Sequence, residues 1–168
     1  YNFVIKENDF FYYEDKYGGL KIPKPSMNGQ FQLENASTAI ATLRILEDLK
    51  VKDEQIINGV KKANNVARLE EIKSGKLKNL IKNNILILDS SHNPGGAKVL
   101  NEYLKTLNCK KHIIIGMMAN KDHEKFISYF KDISSLTAVD IPNQPNAISG
   151  IKLKEKFKNI QNINYKES

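Results

Sequence analysis

Disulfides are out of reach for this sequence: Cys109 is its one cysteine, so no internal bridge can form and a reducing, cytoplasmic setting is the simpler expectation. No apolar run approaches the roughly 20 residues that cross a bilayer, so no membrane partner is expected. The glycine loop with its lysine that marks P-loop nucleotide binders is missing, and so is any Gly-x-Gly-x-x-Gly; a self-contained phosphate loop is therefore not expected. Internal repeats are missing as well. The sequence starts at Tyr1 with neither a Met nor a charged-then-apolar leader, which reads as a fragment without a secretion signal.

Arginine is scarce. Only Arg44 and Arg68 carry a guanidinium, although lysine and arginine together outnumber the acids 26 to 19 for a net charge of +7. An excess of that sign invites a nucleic-acid reading. The lysines, however, are spread along the chain among many Asn and Glu, with no basic stripe and no aromatic-plus-basic motif, so no nucleic-acid partner is expected. In a chain that otherwise uses lysine, Arg68 could mark a need for planar, bidentate phosphate binding. Arg44, on a helical stretch, reads as part of a solvated face.

Taken in order, residues 1 to 22 hold short Tyr, Phe, Val and Ile runs separated by Glu7-Asn8-Asp9 and Lys16-Tyr17-Gly18-Gly19, a hairpin-like β pattern. After Pro23, Pro25 and Gly29, apolar residues from Ala36 to Leu49 recur at helical spacing from Glu34 onward, placing Asn35 at or near a helix N-terminus. A shorter helix is expected from Asp53 to Ala63, with Asp53 as its N-cap. Asn64-Asn65 reads as a linker. Beyond it, apolar runs at Leu69 to Ile72, Ile85 to Leu88, Ile113 to Met118 and Leu136 to Ile141 alternate with helical patterns at Gly96 to Leu107, His123 to Ile133 and Ile148 to Phe157. The fold class is therefore α/β, a Rossmann-like, mostly parallel sheet with flanking helices and right-handed crossovers. Ile160 to Tyr165 reads as the start of a further strand in a sheet truncated at its end.

The chemistry concentrates after Ile85-Leu86-Ile87-Leu88, read as a buried strand. Asp89, Ser90, Ser91, His92 and Asn93 follow it, and Asn93-Pro94-Gly95-Gly96 opens a helix. Ligands of open α/β sheets collect at such carboxyl ends, where helix N-termini offer free N–H groups. Asp89 could accept bonds from ribose hydroxyls, or simply form a turn or cap. A turn needs neither the His92 imidazole nor the Asn93 amide, which favours a ligand-facing role, and the two glycines would let backbone approach that ligand. Lys121 could point into the same crevice, whereas Asp122 is most simply the N-cap of the next helix. Zinc is not expected, because His112 and His123 lack ligand spacing with His92 and Cys109 falls near a helix end.

Four stretches then resemble, in order, the motifs of the Mur ligase superfamily, and within it the folylpolyglutamate synthase/dihydrofolate synthase family. Gly29-Gln30-Phe31-Gln32-Leu33-Glu34-Asn35-Ala36 is similar to Gly-x-His-Gln-x-x-Asn-Ala, and Ala67-Arg68-Leu69-Glu70 to Gly-Arg-Leu-Glu. Asp89-Ser90-Ser91-His92-Asn93-Pro94 is similar to Asp-Gly-Ala-His-Asn-Pro, and Gly116 to Asp122 to the family's glycine-to-Lys-Asp loop. The departures are Phe31 for His, Ala67 for Gly and the Ser pair for Gly-Ala.

The resemblance implies an ATP-dependent, ADP-forming amide ligase that phosphorylates a folate or dihydropteroate carboxylate and joins L-glutamate to the acyl phosphate. By position it implies Asn35 at adenine, Asp89 at the ribose and Arg68 at the phosphates across a domain cleft that closes, with Arg68 and His92 as the catalytic pair. His92 and Asn93 would lie near the acyl phosphate and incoming amine, and Lys121 and Asp122 on the glutamate side. It implies residues 1–64 as the tail of a central ATPase domain and 65–168 as most of the C-terminal domain. The P-loop, the Mg2+ ligands and the pterin pocket would lie upstream, so the chain alone should be inactive, and the parent a monomer. The rival readings are a peptidoglycan amino-acid ligase and a non-catalytic nucleotide-binding module.

Overall fold

A computed structural model describes residues 1–4, 9–46, 48–157, 160 and 162–167. Ile5 and the Glu7-Asn8 turn expected from the sequence lie outside these residues. The chain forms two compact units, Tyr1–Asp89 and Ser90–Ser168, and the Asn64-Asn65 stretch falls inside the first.

The first unit opens with strands β1 (Asn2–Val4), β2 (Phe10–Asp15) and β3 (Gly18–Pro23), paired antiparallel in that order. The Asp15 carboxylate closes the β2–β3 turn by accepting the Tyr17 N–H at 2.8 Å. Period-two alternation sends Phe11, Tyr13, Leu20 and Ile22 to one face. There they pack with Leu33 and Ile40 of helix α1 (Phe31–Ile45) and Ile56 and Val60 of helix α2 (Asp53–Lys62).

Helix α1 begins at Phe31, ahead of the expected Glu34, so Asn35 sits in its second turn. It ends at Ile45, and Leu46 and Leu49, read as inward helical positions, are about half exposed. Helix α2 is capped by Lys52 rather than Asp53; the Gln55 side chain accepts the Lys52 N–H at 2.9 Å.

That frees Asp53 for Arg44, which corrects the reading of Arg44 as a solvated residue. Its side chain is 8% exposed and donates to Asp15 at 2.8 Å, to Asp53 at 2.9 Å and to the Gly18 carbonyl at 2.9 Å. The cluster fastens the β2–β3 hairpin to both helices. Burial pushes the Asp15 carboxyl up, but the bonds from Tyr13, the Tyr17 amide and Arg44 outweigh it and hold it below the ordinary carboxylate range. Burial and the same bond to Asp15 push the Tyr13 phenol up.

The unit closes with β4 (Glu70–Glu71), α3 (Lys76–Ile81) and β5 (Ile87–Leu88). Here the sequence misled. The aliphatic run Ile85 to Leu88 is not a buried parallel strand: β5 pairs antiparallel with β4, and Ile85 and Leu88 are 55% and 47% exposed. A short apolar run gives length and composition, but neither strand direction nor the number of neighbours.

The second unit runs α4 (Pro94–Lys105), β6 (His112–Ile115), α5 (His123–Ile127), β7 (Ser135–Val139), α6 (Gly150–Lys156) and β8 (Ile163–Lys166). Strands β6, β7 and β8 are parallel in that order, with Ile113 beside Leu136 and Leu136 beside Ile163. The parallel α/β class read from the sequence is therefore the observed one. Helix α5 is shorter than expected; Phe130 nevertheless stays buried beyond its end, with Phe126, Leu136, Ala138, Leu153 and Phe157. Each large apolar side chain in this core contributes about 1.5–3 kcal/mol by burial.

Asp140, just past β7, accepts the Gly150 N–H at 2.9 Å and the Tyr165 hydroxyl at 2.8 Å. Those bonds, the amide first, hold its carboxyl below the ordinary range. The Tyr165 ring lies 2.7 Å from where a Cβ on Gly150 would stand, so only glycine fits that helix start.

Candidate functional site

The first unit gathers three of the sequence motifs around one residue, Leu69. Ala67 and Leu69 flank Arg68 with left-handed backbones, φ +57° and +48°. That conformation costs an L-residue roughly 1–2 kcal/mol, so the fold must hold the turn from outside. It does so at four points. The Leu69 side chain is 1% exposed. Its N–H donates to Asp89 Oδ2 at 2.9 Å, and its carbonyl accepts Asn28 Nδ2 at 2.9 Å. The Ala67 N–H donates to Glu70 Oε2 at 2.8 Å. Arg68 itself is left exposed between these clamps.

Ala67 is the position where the resembling motif carries glycine, and its positive φ supplies the physical reason: glycine adopts that region without penalty. Gly29, at φ +98°, meets the same need at the other side. A Cβ there would run into the Phe31 ring and stand 3.1 Å from Leu69 Cδ1. The structure thus brings Arg68 and Asp89 together and bolts the residues preceding α1 onto them.

Asn35 faces a different environment. Its Nδ2 donates to Gln32 Oε1 at 3.1 Å. Asn35 lines an apolar cavity of about 300 Å³ that includes Pro25, Met27, Ala39 and Gln55. That volume stands at the lower end of the ~300–1,000 Å³ of small-molecule sites. Asn35, Gln32 and Gln55 are the polar side chains of its lining.

In the second unit the Asp-Ser-Ser-His-Asn-Pro motif continues as the entry to α4. Asn93 is its N-cap and accepts the Gly96 N–H at 2.8 Å, with Pro94 in the first turn. Gly96 has a local reason: Ser91 Oγ lies 2.8 Å from where its Cβ would stand. His92 is exposed, and its Nδ1 lies 3.0 Å from the Ser90 carbonyl, which can only accept, so this nitrogen carries the proton in that bond.

Asp122 is the N-cap of α5, accepting the Lys125 N–H at 3.1 Å, as the sequence suggested. Lys121 precedes it, half-buried. Their loop is fixed by backbone. Met118 bridges Ala147, the Ala119 N–H donates to Asn146, and the Ile148 N–H donates to Met117.

Sequence reasoning passed over His123 except as a poor metal ligand. It is 4% exposed, and its Nε2 donates to the Met118 carbonyl at 3.0 Å, bracing the Lys121-Asp122 loop from inside. The signal was available: a histidine directly after a helix cap, ahead of apolar Phe126 and Ile127, is poorly placed for solvent. Among the described residues, no group of three or more His, Cys, Asp or Glu side chains is arranged to hold a metal. A cavity of about 640 Å³ between α5 and α6 is lined by Glu124, Lys131 and Lys156 with mostly apolar residues, and includes none of the candidate site residues.

No family model matches the chain. A curated relative, the folylpolyglutamate synthase of Lacticaseibacillus casei, is 27% identical over 143 residues, covering 82% of this chain and 32% of that protein. The chain is similar to folylpolyglutamate synthase. The solved folylpolyglutamate synthase of Thermotoga maritima agrees with a TM-score of 0.70 at 26% identity, over 95% of this chain and 36% of its own. E. coli FolC in complex with ADP gives 0.75 at 26%, over 99% and 37%. E. coli FolC in complex with DHPP and ADP shares the fold, with a TM-score of 0.79 at 24% identity. The motif resemblance to folylpolyglutamate synthase read from the sequence is therefore borne out, and the chain spans about a third of the length of the relatives it matches.

Proposed function

We propose that the chain is the C-terminal part of a cytoplasmic, monomeric, ATP-dependent ligase that joins L-glutamate to folate through an amide bond, with dihydropteroate as a second acceptor. The observation that carries the reading is the Arg68 turn. Two residues in a costly backbone conformation, held by Asp89, Asn28 and Glu70, flank the exposed Arg68, and the Asp89 carboxylate accepts the backbone N–H of the residue next to it. Strain of this kind persists only where the surrounding structure over-determines it, and it clusters at active sites and ligand clamps. The similar E. coli FolC structures are complexes with ADP, which supports a nucleotide as one ligand.

In this reading residues 1–64 belong to the central ATPase domain and 65–168 to the C-terminal domain. Asn35 takes the adenine edge at the apolar cavity and Asp89 the ribose hydroxyls. Arg68 meets negative charge that builds on the transferred phosphoryl group, the task for which a fixed cation is worth most. The substrate carboxylate takes that phosphoryl group from ATP, releasing ADP. The glutamate amine then attacks the acyl carbon, loses a proton, and phosphate departs. His92 and Asn93 would face this second half-reaction, and Lys121 and Asp122 the incoming glutamate, with Asp122 giving one carboxylate oxygen to its helix cap. Magnesium belongs to ligands outside this chain, and the 168 residues alone do not turn over.

The test is ADP release by the full-length protein with ATP and glutamate, comparing tetrahydrofolate, dihydropteroate and a nucleotide-sugar peptide as acceptors. Turnover with a pterin acceptor is expected, and dihydropteroate decides whether the enzyme is bifunctional. Turnover only with the sugar peptide would replace the folate assignment by a peptidoglycan ligase. Silence with all three would favour a nucleotide-binding module.

A further inference from the structure

We infer that Asn28, which none of the motifs includes, is a positioning residue for Arg68, acting through the Leu69 carbonyl. The inference rests on the ligase reading above and adds a residue to its nucleotide side.

Three observations converge on it. First, the Arg68 turn carries left-handed backbone on both sides, at Ala67 and at Leu69, and neither is glycine. A left-handed residue such as Leu69 persists only where the surrounding structure over-determines it, here through both of its own backbone polar groups. Second, both groups are held by side chains: Asp89 takes the Leu69 N–H, while Asn28 donates to the Leu69 carbonyl across 41 residues of sequence. Third, Asn28 directly precedes Gly29, whose missing Cβ lets Leu69 Cδ1 approach. The segment leading into α1, and so to Asn35, is thereby pinned to the turn that carries Arg68. Without the Asn28 amide, Leu69 keeps its buried side chain but loses the bond that sets its carbonyl, and Arg68 gains freedom. Arg68 has no buried side-chain packing of its own to oppose this.

The prediction is specific, because Asn28 should matter only while Arg68 is present. In the full-length enzyme, Asn28→Ala is expected to lower kcat/KM for ATP by about threefold to tenfold, the range of one lost hydrogen bond. In an Arg68→Ala background the same substitution is expected to change it by less than about twofold, since the cycle isolates the coupling. Equal losses in both backgrounds, or no loss beside intact Arg68, would overturn the proposal and leave Asn28 a plain structural contact. Asn28→Asp keeps the shape but turns an acceptor toward the carbonyl, and is expected to be at least as damaging as alanine; a harmless Asn28→Asp would also overturn it. Should the alanine variant fail to fold, Asn28→Ser serves in the same cycle.

Absence of turnover by the wild type would instead fail the ligase reading. Amide exchange still decides the clamp in that case: in Asn28→Ala the Leu69 N–H must exchange faster while amides of β7 do not change. Unaltered exchange at Leu69 overturns the proposal whatever the enzyme does.

Discussion

The two units hold their candidate site residues by different means. In the first, the Arg68 turn is strained and is fixed by three side chains, from Asn28, Glu70 and Asp89. In the second, the Lys121-Asp122 loop is fixed chiefly by main chain, with Met117 to Ala119 bonded to Asn146 to Ile148, and the His123 ring and the Asp122 cap add side-chain braces. The difference teaches where single substitutions bite. A side-chain clamp fails when one residue changes, whereas a backbone ladder ignores most substitutions along it.

That contrast can be pressed hardest at Leu69. Leu69→Ala removes a side chain that is 1% exposed and is expected to cost about 2–5 kcal/mol, measured by chemical denaturation. A cost below 1 kcal/mol would show that the turn does not depend on its anchor. Arg68→Ala, by contrast, should leave stability nearly untouched. On the ligase reading it should lower kcat by about 10²–10³, with single-turnover rates as the check.

In the second unit the sharpest single-residue effect should come where backbone packing leaves no room. Gly150→Ala forces a Cβ against the Tyr165 ring and the Val139 carbonyl carbon. It is expected to cost about 1–3 kcal/mol and to release the Tyr165 hydroxyl from Asp140, visible as a phenol that titrates closer to its ordinary range. The smallest effect carries the opposite sign. Ala67→Gly relieves a residue at φ +57° and should stabilise by about 0.5–1 kcal/mol despite the entropy of glycine, read as a raised Tm. Destabilisation would mean that the turn is not strained at Ala67.

Acid should weaken both units. Asp15 and Asp140 have carboxyl pKa values held below the ordinary range in the folded state. Their contribution is therefore fully present above the unfolded-state pKa near 4 and is lost as pH falls through the lowered value. Tyr13 and Tyr165 are shifted up, so their contribution holds below about pH 10 and fades as pH rises past it. Denaturation curves across pH 2 to 11 check both limbs.

The legible part of the molecule was the part governed by periodicity. Ile113, Leu136 and Ile163 sit in apolar runs spaced by helical patterns, and they emerged as adjacent parallel strands. The cap at Asp122 follows from local chemistry and was read as one, whereas Asn93, read as ligand-facing, gives its side-chain oxygen to the Gly96 N–H as the cap of α4. The motif around Arg68 was visible as a string of letters, but its conformation was not, because alanine and leucine give no hint of a positive φ. Asn28 stayed hidden for another reason: its partner is 41 residues away, and a lone asparagine before a glycine reads as a turn. Arg44 was misread because its partners, Asp15 and Asp53, come from elements that only the fold brings together. The direction of β5 was set by its pairing with β4, which an aliphatic run cannot announce.

The central claim is that the Asp89–Leu69–Arg68 turn handles the nucleotide, and kinetics of Asp89→Ala in the full-length protein test it most directly. The account predicts that KM for ATP rises by about tenfold or more while KM for glutamate stays within about twofold, the pattern of a lost nucleotide contact. An unchanged KM for ATP, or equal changes for both substrates, would contradict it.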